Sequence, residues 1–175
     1  MPAWQGSLWS NLFFVLPQAF TIRRAGLGDL SGILGCLHAA FAPYESNYTA
    51  AAYVDTVLTD QTLKERLQSM SIFVAVSDSG EIVGTIGCNV MGEKEGHLRG
   101  MAVLPAWQGA GMAGQLLKAA EAELRDHGCE RVTLDTTAPL QRAAHFYVRN
   151  GYRATGKITD FFGMPLYEYA RSLRS

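Results

Sequence analysis

Three glycines within six residues, Gly109, Gly111 and Gly114, separate a strand-like sequence pattern from a helical one. The apolar run over 97–104 precedes them, and after them apolar residues recur at helical spacing along one face. The first N–H groups of a helix have no acceptor within the helix, and glycines let a backbone approach a ligand closely. Glycines that served no ligand would only destabilise this helix start. The segment therefore predicts a loop that binds phosphate groups at a helix N-terminus.

Strand and helix patterns alternate along the rest of the chain without a repeat or a low-complexity segment. Asp78-Ser79-Gly80 is typical of a hairpin turn, and Pro139 stands where a helix tolerates proline, at its first position. The predicted elements are strand 20–25, helices 30–41 and 53–70, strands 71–77, 81–90 and 97–104, the helix after the glycines, strand 131–137, helix 139–150, and strands 152–155 and 164–170. Their order predicts a mixed α/β domain with one sheet.

Length and composition limit the class of protein. A chain of 175 residues with 48% hydrophobic residues indicates one domain, which we assign to residues 20–175. A net charge of −1 offers no basic face for a nucleic acid. The three cysteines are widely spaced, so neither a disulfide framework nor a zinc site is expected, and a cytoplasmic location fits.

Residues 1–19 form an apolar extension that is not part of this domain. It lacks the cationic start of a secretory signal and the length of a membrane span. We expect it to pack on the domain or on a second subunit of a homodimer, and an unfolded tail is the alternative.

The spacing of the glycines also fits G-x-G-x-x-G, the fingerprint of a dinucleotide-binding turn. Asp135, 21 residues after Gly114, stands where such a fold places a ribose-binding acid. However, Leu104–Gln108 separates the strand from the first glycine, about 100 residues precede the loop, and only 40 follow Asp135. A dinucleotide fold usually begins with its fingerprint and needs more chain for its later crossovers. Binding of NAD is therefore the disfavoured alternative.

The stretch LRGMAVLPAWQGAGMAGQLLKAAEAEL, together with TTAPLQRAAHFYVRNGYRATG, resembles the GNAT superfamily of acetyl-CoA-dependent N-acetyltransferases. The most specific parts are V-L-P-x-x-Q-G-x-G-M-A-G and A-x-x-F-Y-x-x-x-G-Y at their mutual distance. The order of elements fits this family from about Phe20 to Tyr169. The resemblance implies a mixed, mostly antiparallel twisted sheet that is splayed between its fourth and fifth strands and flanked by helices.

The same resemblance implies acetyl-CoA as the cosubstrate, with its pyrophosphate on the glycine loop. Its pantetheine arm is expected in the gap between the splayed strands, paired with backbone groups of Met101 and Val103 like a missing strand. The Val103 N–H is our candidate to polarise the thioester carbonyl. The residues expected at acetyl-CoA are Met101, Ala102, Val103, Gln108, Gly109, Ala110, Gly111, Met112, Ala113, Gly114, Thr136, Ala143 and Phe146.

Two side chains are assigned to catalysis. Tyr147 stands where family members often place a tyrosine that protonates the departing thiolate. A primary amine has a pKa of about 10.4 and must lose a proton before it attacks, so a base or a water chain is required. His97 falls where some members carry a glutamate that acts through water, and histidine titrates near neutrality. A plain surface histidine at this position, with Glu93 or Glu95 as the base, is the alternative.

The expected function is transfer of acetyl to a primary amine of a small molecule or peptide, by direct attack in a ternary complex. A non-catalytic acyl-CoA-binding sensor is the alternative. No residue pattern suggests a metal site, a membrane or a nucleic acid as a partner. The acceptor site is expected between the early helices and the last strands, with the candidate residues Phe41, Tyr44, Tyr48, Tyr53, Phe161 and Phe162 and the acids Glu45, Asp55 and Asp60.

Overall fold

The computed structural model describes residues 19–174, so the predicted apolar extension lies outside them except for its last residue. No helix in this range has the length and apolar character needed to cross a membrane. The elements are β1 (Phe20–Arg24), α1 (Leu30–Phe41), α2 (Ala50–Val57), α3 (Asp60–Ser69), β2 (Ser71–Ser77), β3 (Ile82–Gly92), β4 (Glu95–Val103), α4 (Met112–Asp126), β5 (Arg131–Thr137), α5 (Gln141–Arg149), β6 (Arg153–Phe161) and β7 (Met164–Ser172).

The strands form one sheet in the order β1-β2-β3-β4-β5-β7-β6. Every neighbouring pair is antiparallel except β4 and β5, which run parallel. Helices cover both faces of the sheet, and Ile82–Cys88 of β3 is therefore buried throughout. The sheet confirms the predicted mostly antiparallel architecture, and it is not the parallel sheet that a dinucleotide fold requires.

Two buried clusters attach the helices to the two faces. Leu37 of α1 and Leu63 of α3 belong to the cluster on one face. Leu117 of α4 and Tyr147 of α5 belong to the cluster on the other. The apolar face predicted for the helix after the glycines is buried here, which explains why this amphipathic segment folds against the sheet.

A bulge in β4 changes the course of this strand. Thr85 of β3 pairs with Ala102 and Gly87 pairs with Arg99, so Gly100 and Met101 together face one residue of β3. Gly100 has a φ of +65°, a conformation that glycine adopts without strain. A bulge bends its strand and increases the local twist.

The bend opens the sheet at the place where the splay was expected. β4 pairs with β5 only from Glu95 to Leu98, whereas β5 stays paired with β7 as far as Thr137. Beyond Leu98 the two parallel strands diverge. The splay between the fourth and fifth strands is therefore confirmed.

The predicted elements are corrected in three places. The single helix expected over 53–70 is two helices, because Leu58 adopts a φ of +64° and Thr59 caps α3 in a capping box with Thr62. Pro139 lies in the turn before α5, which begins at Gln141, and not at the first helical position. The last two strands are longer than expected.

Candidate active site

The loop Gln108–Gly114 leaves the first turn of α4 open to a ligand. Gly109 and Gly111 have φ values of +84° and +79°, so these two turns require glycine. Among the described residues no side chain caps α4, and its first internal hydrogen bond runs from the Gln115 N–H to the Gly111 carbonyl at 3.2 Å. A Cβ at Gly109, Gly111 or Gly114 would meet nothing within 4 Å. Uncapped N–H groups beneath open space fit a pyrophosphate.

Gln108 connects this loop to both sides of the opening in the sheet. Its Nε2 donates to the Val103 carbonyl at 3.1 Å, and its Oε1 accepts from Nη1 of Arg142 at 3.1 Å. Arg142 and Arg149, seven positions apart on α5, line the same cavity as the loop. These two cations were not predicted from the sequence, although their helical spacing places them on one side of α5.

A cleft continues from the loop into the splay as two adjoining cavities. The phosphate-loop cavity, about 380 Å³, is lined by the glycine loop, Trp107 and α5. The inner cavity, about 240 Å³, lies between α1–α3, the splayed parts of β4 and β5, and the tip of the β6–β7 hairpin. Both are lined by Phe41, Met101, Leu140, Ala143 and Tyr147. A molecule extended along the cleft would therefore pass from the loop to the inner cavity beside Tyr147.

The backbone of β4 directs the polar groups of Val103 away from β3 and toward this cleft. The Leu104 N–H donates to the Val83 carbonyl at 2.9 Å, so the alternation of an antiparallel ladder directs the N–H and C=O of Val103 away from β3. Met101 lies in the bulge and has no register partner on β3. Ala102 also lines the phosphate-loop cavity, although it pairs with Thr85 of β3 and its side chain is buried.

The remaining residues predicted at acetyl-CoA differ in what they offer. The side chain of Met112 is buried in the core, so only its backbone N–H faces the loop. Ala110 is exposed and lines neither cavity. Ala113, Ala143 and Phe146 line the phosphate-loop cavity.

Thr136 carries an unpaired hydroxyl in the wall of the inner cavity. Its side chain is buried, with 5% of the residue exposed. Its Oγ1 is the one buried side-chain polar atom without a hydrogen-bond partner among residues 19–174. A buried hydroxyl without a partner is unfavourable, and a carbonyl or amide of a ligand would satisfy it.

Tyr147 lies where the two cavities meet. It is 6% exposed, and its Oη donates to Sδ of Met101 at 3.1 Å. Burial raises the pKa of this phenol well above its usual range, so it keeps its proton at neutral pH. Sulfur is a weak acceptor, so this proton can be given to a stronger one.

His97 projects from β4 into the inner cavity, and not to the surface. Its Nδ1 lies 2.9 Å from Oγ1 of Thr133, and Thr133 donates its own proton to the Gly96 carbonyl at 3.3 Å. The Thr133 oxygen therefore accepts from the His97 Nδ1–H, which leaves Nε2 without a proton. Burial lowers the pKa of His97, and the carboxylate of Asp135, 3.6 Å from Nε2, opposes this effect.

The two other candidate bases lie elsewhere. Glu95 pairs with Arg131, and neither Glu93 nor Glu95 lines the inner cavity.

The cysteines are buried away from both cavities, and burial raises the pKa of Cys36 and of Cys88 to about 12. Such thiols are protonated at neutral pH and poor nucleophiles. No group of three side chains able to hold a metal ion occurs among the described residues.

Only some of the predicted acceptor residues meet at the inner cavity. Phe41, Tyr48 and Phe161 line it, and the Tyr48 and Thr137 hydroxyls are hydrogen-bonded at 2.7 Å. The hairpin tip is held over the cavity because Oγ1 of Thr49 donates to the Phe162 carbonyl at 2.9 Å.

The other acceptor candidates lie outside this cavity. Tyr44 lines the phosphate-loop cavity instead. Tyr53, Phe162, Glu45 and Asp60 line neither cavity.

The inner cavity contains a cluster of charged side chains, Asp55, Arg66 and Arg99. Of these, only Asp55 was predicted at the acceptor site. Nη2 of Arg66 and Nη2 of Arg99 each lie 3.5 Å from Oδ2 of Asp55. Burial, and secondarily the neighbouring charge of Arg99, lowers the pKa of Arg66 to about 10. Nothing in the sequence marks these residues as a cluster, because they come from the separate elements α2, α3 and β4.

A splayed sheet, an open glycine-rich helix start and a buried tyrosine between them define an acyl-CoA-dependent acyltransferase. Residues 35–152, more than half of the chain, match the acetyltransferase (GNAT) family, and the chain belongs to this family. The predicted N-acetyltransferase class and its cosubstrate acetyl-CoA are thereby confirmed.

Named relatives support the same class. The chain is 32% identical over 120 residues to the aminoglycoside N(6')-acetyltransferase type 1 of Stenotrophomonas maltophilia, a match that covers 61% of this chain and 78% of that protein. It is 34% identical over 80 residues to the aminoalkylphosphonate N-acetyltransferase of Salmonella typhimurium, covering 43% of this chain and 52% of that protein. The PaiA N-acetyltransferase of Thermoplasma acidophilum in complex with coenzyme A has the same fold, with a TM-score of 0.74, 16% identity, and coverage of 88% and 99%.

Proposed function

We propose that the protein transfers acetyl from acetyl-CoA directly to a primary amine of a small molecule or peptide. The observation that carries this proposal is the meeting of two cavities at Tyr147, with His97 in the inner one. The first cavity has the loop for the pyrophosphate, and the second has a proton acceptor. A cytoplasmic location and a homodimer are expectations from the sequence that belong to the same proposal.

The amine reaches the inner cavity as an ammonium ion, which the carboxylate of Asp135 attracts. Nε2 of His97 removes one proton, and the resulting imidazolium is stabilised by Asp135, 3.6 Å away. The lowered pKa of His97 keeps the imidazole neutral and ready to accept this proton near neutral pH.

The neutral amine then attacks the thioester carbonyl, whose oxygen accepts a hydrogen bond from the Val103 N–H. As the C–S bond breaks, Tyr147 gives its proton to the departing thiolate. The nitrogen of the adduct releases its second proton, which restores the phenol of Tyr147. The products are the acetylated amine and CoA, and the first proton, held on His97, passes to solvent. The thiolate is a much stronger acceptor than the Met101 sulfur that Tyr147 contacts here.

The relatives support an amine acceptor but differ in its chemistry. Aminoglycosides are polycations, whereas aminoalkylphosphonates combine one amine with an anion. Both names describe transfer to an amine of a small molecule. The small volume of the inner cavity, about 240 Å³, favours a small acceptor or the end of a longer one.

The test is turnover of acetyl-CoA with a panel of primary amines by the wild type, Tyr147→Phe and Tyr169→Phe. Tyr169 packs on the same core cluster but lines neither cavity, so it is the matched control. We expect Tyr147→Phe to lower kcat by about 10²- to 10⁴-fold, the usual contribution of a general acid. The dissociation constant of acetyl-CoA should stay within about twofold, because the lost hydroxyl donates only to a sulfur. An unchanged kcat would remove Tyr147 from the mechanism.

A further inference from the structure

The inner cavity contains a cationic cluster that the acetyl transfer itself does not use. Arg66 and Arg99 share Oδ2 of Asp55, and no other carboxylate lies within 4.0 Å of either guanidinium in the described part of the chain. Two positive charges thus have one negative partner. Arg66 also donates to the Asp55 backbone carbonyl at 3.2 Å, which fixes it in the wall.

The geometry of this cluster leaves donors available. A guanidinium has five N–H groups, and it binds carboxylate or phosphonate oxygens through two of them at once. The contacts to Asp55 are 3.5 Å long, longer than a hydrogen bond between charged groups. The side chain of Arg99 is 43% exposed, so it can reach a molecule in the cavity. Burial makes an unneutralised arginine unfavourable, and an anionic ligand would relieve this.

The opposite charge lies close by in the same cavity. Asp135 lies beside Nε2 of His97, and among the described residues no arginine or lysine lies within 4.0 Å of its carboxylate. The neighbouring Glu168 is already held by Lys157 at 3.0 Å. His97 and Arg99 are two positions apart on β4, which separates their Cα atoms by about 7 Å. The cavity therefore offers a negative and a positive region within the length of a short molecule.

From this arrangement we infer that the acceptor is a small amine that also carries an anionic group, a carboxylate or a phosphonate. Its ammonium lies at Asp135 and His97, and its anion lies at Arg99 and Arg66. This inference rests on the proposed function, because it names the acceptor of the same reaction. A polycationic amine would place a second positive charge against the two arginines.

The test compares pairs of short primary amines in which one member carries an anionic group and the other is uncharged at that end. The probes are β-alanine against β-alaninamide, and aminoethylphosphonate against ethanolamine, with spermidine and kanamycin as polycations. We expect kcat/KM for the anionic member of a pair to exceed that for the neutral one by about 10- to 100-fold, as charge-assisted hydrogen bonds require. The two pairs together distinguish a carboxylate from a phosphonate.

Three variants decide whether the arginines cause this preference. Arg99→Gln should reduce the anionic-to-neutral ratio of kcat/KM by about tenfold or more, and Arg66→Gln should do the same if it folds. Arg153→Gln removes the same charge from the exposed strand β6, outside the cavity, and should keep the wild-type ratio. The melting temperature with and without acetyl-CoA reports whether each variant is folded and binds its cosubstrate.

The outcomes separate this inference from the proposal beneath it. Three results would overturn the inference without affecting the proposed acetyl transfer. They are equal kcat/KM for the anionic and neutral amines of each pair, a preference for spermidine or kanamycin, and an unchanged anionic-to-neutral ratio of kcat/KM in Arg99→Gln. Absence of turnover with every amine, in a protein that acetyl-CoA still stabilises, would overturn the proposed function and this inference with it.

Discussion

The glycine loop allows a substitution that should stabilise the protein and weaken its binding of acetyl-CoA. Gly114 is the third residue of α4, its φ is not positive, and a Cβ there would meet nothing within 4 Å. Alanine is favoured over glycine in a helix by up to about 1 kcal/mol. We therefore expect Gly114→Ala to raise the melting temperature of the free protein by up to about 2–4 °C.

Binding should change in the opposite direction. In the proposed complex the open space over this turn holds the pyrophosphate, and an added methyl group would occupy it. Overpacking of a close contact costs about 1–3 kcal/mol. This corresponds to a dissociation constant for acetyl-CoA that is weaker by roughly 5- to 150-fold.

Gly35→Ala is the matched control for this experiment. Gly35 is an exposed residue of α1, and a Cβ there would also meet nothing within 4 Å. Thermal unfolding gives the stability of both variants, and titration calorimetry gives their affinities for acetyl-CoA and CoA. Gly35→Ala should stabilise the protein and bind as the wild type does. If Gly114→Ala also bound acetyl-CoA as tightly as the wild type, the pyrophosphate would not lie on this turn.

Three further predictions follow from contacts described above. The negative charge of Asp135 raises the pKa of His97, although burial keeps that pKa below its usual value of about 6.5. Asp135→Asn should therefore move the acidic limb of the pH profile of kcat/KM to lower pH. A shift of this limb to higher pH would contradict the prediction. Thr133→Val should lower kcat by about 3- to 10-fold in steady-state assays, and Thr133→Ser should restore it, because the threonine fixes the His97 ring. Glu121→Ala should lower the free energy of unfolding in urea by about 1–3 kcal/mol, since it leaves the buried Tyr152 hydroxyl, 2.8 Å away, without its acceptor; an unchanged free energy of unfolding would refute this.

Local sequence signals account for the half of the site that binds the cofactor. The glycine loop, the helix after it and Tyr147 lie in two continuous segments, 108–126 and 141–149, whose periodicity is plain. The prediction of one continuous helix over 53–70 failed because of a single residue. Leu58 has a left-handed backbone conformation, which an apolar pattern does not reveal, and it divides the expected second helix in two.

The acceptor half could not be assembled from the sequence in the same way. Arg66, Arg99 and Asp55 come together only because α2 and α3 pack beside β4. Nothing in the spacing of these residues marks them as neighbours, and each would be an ordinary surface charge on an isolated element. His97 was predicted from the family resemblance, but its hydrogen bond to Thr133 depends on the register of two parallel strands.

The bulge at Gly100 has a consequence for how the two reactants are kept apart. One inserted residue reverses the alternation of side chains along β4, so that Met101 and Val103 share the α4–α5 side with Leu98, while His97 and Arg99 face α1–α3. In the proposed complex, the thioester and the amine would approach the opening between β4 and β5 from opposite sides of the sheet. A new acceptor would then require new residues in the wall of the inner cavity, on α1–α3, β4, β5 and the β6–β7 hairpin, whereas the glycine loop could stay unchanged.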